Sequence, residues 1–330
     1  MIISFKKYTI LLLFFILVTL LSLAAYVYTN DPYWLFKSNP EWKVMYNGHN
    51  RVLDIRGRFA KSLQVAIQQP EIIIVGSSRI YRGIQTDSYS DFKVYNLGIS
   101  GLRIREAHAF IIHAARWAPI SEIILGIDYF MFDSNKKSEP GFDPSIVDFN
   151  YLPTAISTSL MTKMAFDDVK LSKSGVNKGD GYWTRSGFKF TNPRSAKDLE
   201  LVLNSFYNNE KIITQKEFDV YKNILNFAEQ QNIRISVFIS PLNHIMIEKM
   251  KKKKQYPKFM QWKNSIRSIS LNHGVDFYDF SEVNPFFNDK IENASTKYWI
   301  DTSHYSPYVG NWILNEIGIF SHKSKLLVTH

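Results

Sequence analysis

The chain has 330 residues, 45% hydrophobic and 15% aromatic, with 40 Lys and Arg against 30 Asp and Glu. That composition supports a sizeable core and excludes a disordered or collagen-like chain. Cysteine is absent, which excludes disulfides, thiolate metal sites and a cysteine nucleophile; the formal charge of +10 leaves nucleic acid, an anionic membrane surface or an acidic polymer as partners.

Lys6 and Lys7 precede an uncharged stretch, Tyr8 to Asn30, that ends at Asp31. As a helix rising about 1.5 Å per residue it crosses a hydrocarbon core of roughly 30 Å. The competing reading is a cleaved signal peptide, whose apolar core typically spans only about 7–15 residues. The expectation is an uncleaved signal anchor over residues 1–30. Lysines before the span place the short tail in the cytoplasm and the rest of the chain on the periplasmic side of the inner membrane. Nucleic acid is then excluded as a partner by compartment. Tyr26, Tyr28, Tyr33 and Trp34 fit an aromatic belt at the membrane exit.

Residues 31–69 read as a connector followed by an amphipathic helix. Val52, Ile55, Phe59 and Leu63 share one face, and Arg51, Arg56, Arg58 and Lys61 lie elsewhere. The basic face is either solvated or rests on anionic headgroups. Pro70 ends the helix and delivers the chain into Glu71–Ile80, EIIIVGSSRI. Ile72 to Val75 is a continuous apolar run, three of its four residues being isoleucine, and it stops at Gly76 before Ser77, Ser78 and Arg79. This is the pattern of a buried parallel strand whose carboxyl end opens into a polar turn, the edge where open α/β sheets bind ligands.

From there strands and helices alternate. A strand over 94–97 leads into Gly98 and the turn Ile99-Ser100-Gly101, a helix over 102–117 stops before Pro119, and a strand over 122–126 runs into Asp128. Residues 136–192 are irregular and read as an insertion over the sheet edge, with one helix near 152–163. A helix over 195–207 follows. Thr214 and Glu217 form a capping box for a helix to 231, a strand covers 233–240, and a lysine-rich helix follows His244. The last strand is 275–280, and Pro307 opens the final helix. The alternation predicts an α/β fold, three layers α/β/α around a parallel sheet, behind one N-terminal transmembrane helix. Residues 70–330 form its single large domain. No metal-ligand spacing and no glycine-rich phosphate loop occurs, and neither metal nor cofactor is expected.

Serine attacks only when a base takes its proton, and the base works best when a third group orients it. Asp301-Thr302-Ser303-His304 is the chain's only Asp-x-x-His, and it lies between the last strand and the last helix. In a helical or tight turn such residues share a face, so Asp301 can hold one imidazole nitrogen while the other faces Ser78. Arg79 has two readings, an anionic substrate group or an acidic residue of the fold. His244, at a strand end, either lines the cleft or makes structural hydrogen bonds.

Gly76-Ser77-Ser78, Asn96 to Gly101, Gly126-Ile127-Asp128 and Asp301-xx-His304, in this order, resemble the four spaced blocks of the SGNH, or GDSL-type, hydrolase superfamily. The resemblance covers about residues 70–320. It implies Ser78 as nucleophile, Gly101 as an oxyanion donor, His304 as base and Asp301 as its orienter. Ser77 stands where that family usually has Asp, as in its membrane-anchored envelope members. Asp128 stands where the oxyanion Asn belongs. Either a backbone group or another donor substitutes, or burial keeps Asp128 protonated, or catalysis is slow or lost. The nucleophile elbow of the α/β-hydrolases is excluded, since its last glycine would fall at Ile80.

The resemblance implies a membrane-anchored serine O-acyltransferase or esterase that moves an acyl group through acyl-Ser78 onto envelope polysaccharide or water. A multi-pass membrane acyltransferase is the partner it implies. The rival expectation is a weak or inactive SGNH-like module for binding or assembling envelope polysaccharide, supported by Asp128.

Overall fold

The computed structural model describes residues 5–36, 51–86, 93–135, 160, 162–173, 181–184, 187–190, 195–207, 210–291 and 295–318. Most of the 136–192 insertion, including residues 152–159 of its expected helix, lies outside them.

The elements follow in chain order: α1 (Phe5–Asn30), α2 (Arg51–Gln68), β1 (Ile72–Gly76), α3 (Ser78–Gly83), β2 (Val94–Gly98), α4 (Ile104–Trp117) and β3 (Glu122–Ile127). Then come α5 (Lys163–Lys173), the hairpin β4 (Gly181–Thr184) and β5 (Gly187–Phe190), α6 (Ala196–Tyr207), α7 (Gln215–Gln230) and β6 (Arg234–Ile239). The chain continues with α8 (His244–Lys252), α9 (Tyr256–Asn272), β7 (Asp276–Asp279) and α10 (Pro307–Ile317). The lysine-rich region thus holds two helices, where the sequence suggested one. The expected capping box is present at the start of α7, with Thr214 and Glu217 bonded reciprocally.

Five parallel strands form the sheet in the order β2-β1-β3-β6-β7. Every residue of β1 is buried, and alternate side chains enter two different cores. Ile73 and Val75 pack with Phe110 of α4 and Ile224 of α7. Ile72 and Ile74 pack with Ile313 and Leu314 of α10 on the other face. Each such side chain contributes about 1.5–3 kcal/mol when fully buried, and burial on both faces explains why β1 reads as a continuous apolar run. Because β1 is flanked by β2 and β3, the strand order reverses there, and the crevice between the carboxyl ends of β1 and β3 is a topological switch point.

α1 is the one helix among the described residues long and apolar enough to cross a membrane. At its exit Tyr26 and Tyr28 are exposed, but two residues of the expected belt differ. Tyr33 and Trp34 are buried in a third cluster with Val27, Leu63 of α2, Tyr81 of α3 and Val169 of α5. The Tyr33 hydroxyl donates to Asp168 (2.8 Å), and Asp31 accepts from the Leu35 and Phe36 amides. The aromatic residues just beyond the span therefore pack on protein.

Two basic residues of α2, Arg58 and Lys61, also turn inward. Arg58 makes a two-pronged bridge to the buried Glu106, Arg56 pairs with Asp168 at 3.4 Å, and Lys61 is buried with its ammonium on the Asn96 carbonyl (2.6 Å). Non-helical dihedrals at Arg56 kink the helix. The kink breaks the expected apolar face: Val52 and Leu63 are buried, whereas Ile55 is 54% exposed.

α3 and α10 meet backbone to backbone. A Cβ on Gly310 would stand 1.8 Å from the Gly83 carbonyl oxygen. Gly310→Ala is expected to destabilise the fold by about 1–3 kcal/mol through this overlap. Gly57→Ala, whose Cβ meets nothing within 4 Å, is expected to be neutral or stabilising by up to about 1 kcal/mol. Urea unfolding of both variants checks the pair, and equal midpoints would contradict the close approach.

Candidate active site

The first element of the site is the turn after β1. Ser77 caps α3, its hydroxyl accepting from the Arg79 amide at 3.2 Å. Ser78 is then the first helical residue, at the switch-point end of β1. The second element is the loop before α10. An isolated antiparallel bridge between Trp299 and Tyr305 closes it, and the Ser306 amide donates to the Tyr298 carbonyl at 2.8 Å. Inside that closure Asp301 Oδ1 accepts from the Ser303 and His304 amides, at 2.8 and 2.9 Å. A tight Asx-type turn results, and it folds the imidazole of His304 back over the carboxylate three residues earlier.

The two elements meet. His304 Nδ1 lies 2.9 Å from both oxygens of Asp301, and His304 Nε2 lies 2.8 Å from Ser78 Oγ. With Nδ1–H donating to Asp301, Nε2 is the free basic nitrogen facing the hydroxyl. Ser78 is 5% exposed, His304 8% and Asp301 0%, so the carboxylate end of the relay is sealed while Ser78 and His304 each keep a small exposed edge.

Burial, the largest influence on His304, lowers its pKa. Asp301 pulls the other way, Arg82 and Arg79 lower it again, and the result lies below the ordinary 6.5. Burial opposes the charged form of Asp301, but His304, its hydrogen bond, Arg82 and the Ser303 amide outweigh it and hold the carboxyl well below the usual carboxylate range. At neutral pH the arrangement is a carboxylate beside a neutral imidazole, the state a general base requires.

Arg79 sits behind the serine and is buried. Its Nε donates to the Ser303 carbonyl at 2.9 Å, its Nη1 pairs with Asp128 Oδ1, and its guanidinium lies 5.5 Å from the Phe130 ring centre. Ser77 Oγ donates to the other Asp128 oxygen. This bears on two readings left open by the sequence. Arg79 serves an acid of the fold, with its charged end turned away from solvent, so it does not present itself to an anionic substrate. Asp128 does not act as an oxyanion donor: both its oxygens accept, from Arg79 and Ser77, and it is 1% exposed.

His244 is the third residue whose reading was open. It opens α8, its amide and Nδ1 both facing the Phe287 carbonyl at 2.9 and 3.2 Å, which is the structural reading. Gly101 has φ +67°, a left-handed turn that favours glycine. It follows the end of β2, which is tied to β1 by the Ile99 amide on the Gly76 carbonyl (2.9 Å).

Asn96 belongs to the constellation although only the block as a whole was visible in the sequence. Its Nδ2 donates to the Ile80 and Ile84 carbonyls (2.9 and 2.6 Å), and its Oδ1 accepts from the Gly98 amide (2.8 Å). It thereby fastens the carboxyl end of α3 to the end of β2. Among the described residues no group of three or more His, Cys, Asp and Glu could hold a metal ion.

The molecule is thus a parallel α/β fold that carries a hydrogen-bonded serine–histidine–aspartate relay at its switch point. No protein-family model matches the chain, and no curated protein matches it. Solved structures do resemble it. One is described as a putative platelet activating factor from Streptococcus pneumonia, 11% identical with TM-score 0.43, over 82% of this chain and 94% of that one. Another is a putative acylhydrolase from Bacteroides fragilis NCTC 9343, 9% identical with TM-score 0.43, over 80% and 94%. At this similarity, chemical conclusions rest on the site's own geometry.

The buried Arg79–Asp128 pair yields a stability prediction. Removing one partner strands a buried charge, so Arg79→Met and Asp128→Leu should each cost about 3–5 kcal/mol. The double variant should cost clearly less than the sum, because it strands neither. Chemical denaturation of the four proteins measures the coupling, and strict additivity would mean the pair does not interact.

Proposed function

We propose that the chain is a serine-dependent acyl-transfer enzyme, an esterase or O-acyltransferase of SGNH-like type. The observation that carries this reading is the continuous relay from Ser78 Oγ through His304 to Asp301, at 2.8 and 2.9 Å. The order of the four sequence blocks supports it independently.

In the reaction, Ser78 Oγ attacks the carbonyl carbon of an ester while His304 Nε2 takes the hydroxyl proton. Asp301 keeps the imidazole in the required tautomer and stabilises the imidazolium that forms. With Asp128 engaged by Arg79, backbone donors are left for the oxyanion, and the amides of Ser78 and Gly101 are the assigned pair. Collapse of the tetrahedral intermediate breaks the ester C–O bond. The leaving alcohol takes the proton from His304, and the acyl group stays on Ser78. A hydroxyl of the acceptor, or water, then attacks acyl-Ser78 with His304 again as base, which frees the product and restores the serine.

The anchor-like α1 supports a site of action at the extracytoplasmic face of the membrane. Lysines at its start and an acidic residue at its end support that orientation. Together with the resemblance to envelope members of the superfamily, this favours envelope polysaccharide as acceptor and a multi-pass membrane acyltransferase as donor-side partner. The rival assembly-module reading rests on Asp128.

A fluorophosphonate probe decides between the readings. Wild type is expected to label on one serine, and Ser78→Ala to lose both the label and short-chain ester turnover by about 10³-fold or more. Equal labelling of the two proteins would falsify Ser78 as the activated nucleophile. Unchanged envelope modification by Ser78→Ala, Asp301→Ala and His304→Ala variants would instead favour the assembly module.

The pH profile follows from the histidine. Its neutral form is the base, and its pKa is lowered, so kcat/KM should stay flat through neutrality and fall only as pH drops through a value below 6.5. An acid limb centred above 6.5 would contradict that environment. Asp301→Asn should lower kcat by about 10⁴-fold, because the amide favours the wrong tautomer.

A further inference from the structure

We propose that the membrane-exit segment and α2 buttress the nucleophile helix, with Lys61 and Gln64 as positioning residues for Ser78. This rests on the acyl-transfer reading for its kinetic consequence, although the buttress itself is a structural claim.

α3 has six residues, far below the roughly 12–15 at which an isolated helix becomes marginally stable. Its placement is therefore set by what surrounds it. One side meets α10 through Gly83 and Gly310. The other side carries Tyr81, which is buried in the cluster formed by Val27, Tyr33, Trp34 and Leu63. The helix that bears Ser78 is thus wedged between α10 and the segment where α1 ends.

Two buried polar side chains of α2 connect that segment to the site. Gln64 Nε2 donates to the Tyr33 carbonyl at 2.5 Å, and Gln64 Oε1 accepts from the Tyr95 hydroxyl of β2. One turn earlier, Lys61 Nζ donates to the Asn96 carbonyl of β2 and stands over the rings of Tyr81 and Tyr95, at 4.8 and 5.7 Å from their centres. Asn96 in turn holds both Ile80 and Ile84 by their carbonyls. A Cβ on Gly98 would lie 2.3 Å from the Tyr81 amide nitrogen, so β2 and α3 already touch and a shift of one moves the other. Displacement by about 1 Å is enough to cost a well-oriented reaction on the order of 100-fold.

None of these groups touches the reacting atoms, so they act through geometry. Loss of Lys61 should lower the reactivity of Ser78 and leave the pKa of His304, which is set first by its burial and then by Asp301, Arg82 and Arg79, where it was.

The test uses the full-length protein in detergent, with Lys61→Met, Lys61→Arg and Gln64→Leu beside wild type. The expected result for Lys61→Met and Gln64→Leu is phosphonate labelling slowed about 10-fold or more, with an unchanged acid limb and faster amide exchange over residues 78–83. Lys61→Arg, which keeps the donor and the cation over the rings, should recover most of the labelling rate. Wild-type labelling and wild-type exchange in Lys61→Met would overturn the buttress. So would equal loss in Lys61→Met and Lys61→Arg together with a lowered unfolding midpoint, because that marks general destabilisation. If wild type itself does not label, the acyl-transfer reading fails. The exchange over 78–83 then decides the buttress alone, unchanged protection counting against it.

Discussion

The site depends on one buried guanidinium. Arg79 follows Ser78 in sequence, yet its side chain spans three separate parts of the chain. It is attached to α3 by its own backbone, to the end of β3 through Asp128, and to the histidine loop through the carbonyl of Ser303. A buried charge is expensive to desolvate and is tolerated only when each of its donors finds a partner. That requirement converts into geometry: the arginine is satisfied only when the histidine loop sits beside α3, which is also the position that brings His304 to Ser78. Two distant pieces of chain are brought into register by a group that takes no part in the proposed chemistry. The same demand explains Asp128. Its place at the end of β3 next to the switch point makes it the carboxylate available to Arg79, and Ser77 fills its second oxygen.

The parts legible in the sequence are those that local pattern encodes. The run Ile72–Val75 announces a strand buried on both faces, the alternation of strands and helices announces a parallel sheet, and Thr214 with Glu217 announces the start of a helix. The Asp301–His304 pairing was legible too, because a turn of three residues needs nothing from elsewhere in the fold. What stayed hidden is the choice of partner. Nothing near Arg79 in sequence says that its counter-ion lies after β3, and nothing near Asp128 says that it will accept from two donors instead of facing a substrate. Periodicity also misjudged α2. The pattern assumes a straight helix with basic residues outward, whereas the kink at Arg56 and the buried acid Glu106 draw Arg58 inward. Tyr33 and Trp34 were misplaced for the same reason, since hydropathy sees the membrane but not the protein surface waiting beside it.

That surface changes what the N-terminal helix is. A tether joined by a free linker would leave the sheet indifferent to it. Here the exit of α1 contributes to a hydrophobic cluster shared with α2, α3 and α5, and hydrogen bonds continue from Tyr33 through Gln64 to β2. The first residues beyond the apolar span are therefore core residues of the large domain, and the division between connector and domain is one of sequence more than of packing.

The relay joins residues 226 positions apart, and this separation has a temporal consequence. A chain that is made and delivered from its N-terminus presents Ser78 long before residues 299–305 exist on the same side of any membrane. The strand that precedes the serine can pair with β2 and β3 early, since both lie close in sequence, but the hydroxyl has no histidine partner until residues 299–305 fold back. On the proposed reading the chain is therefore chemically silent throughout its own emergence. On that reading a product that stops short of residues 299–305 keeps Ser78 and lacks the histidine that would activate it.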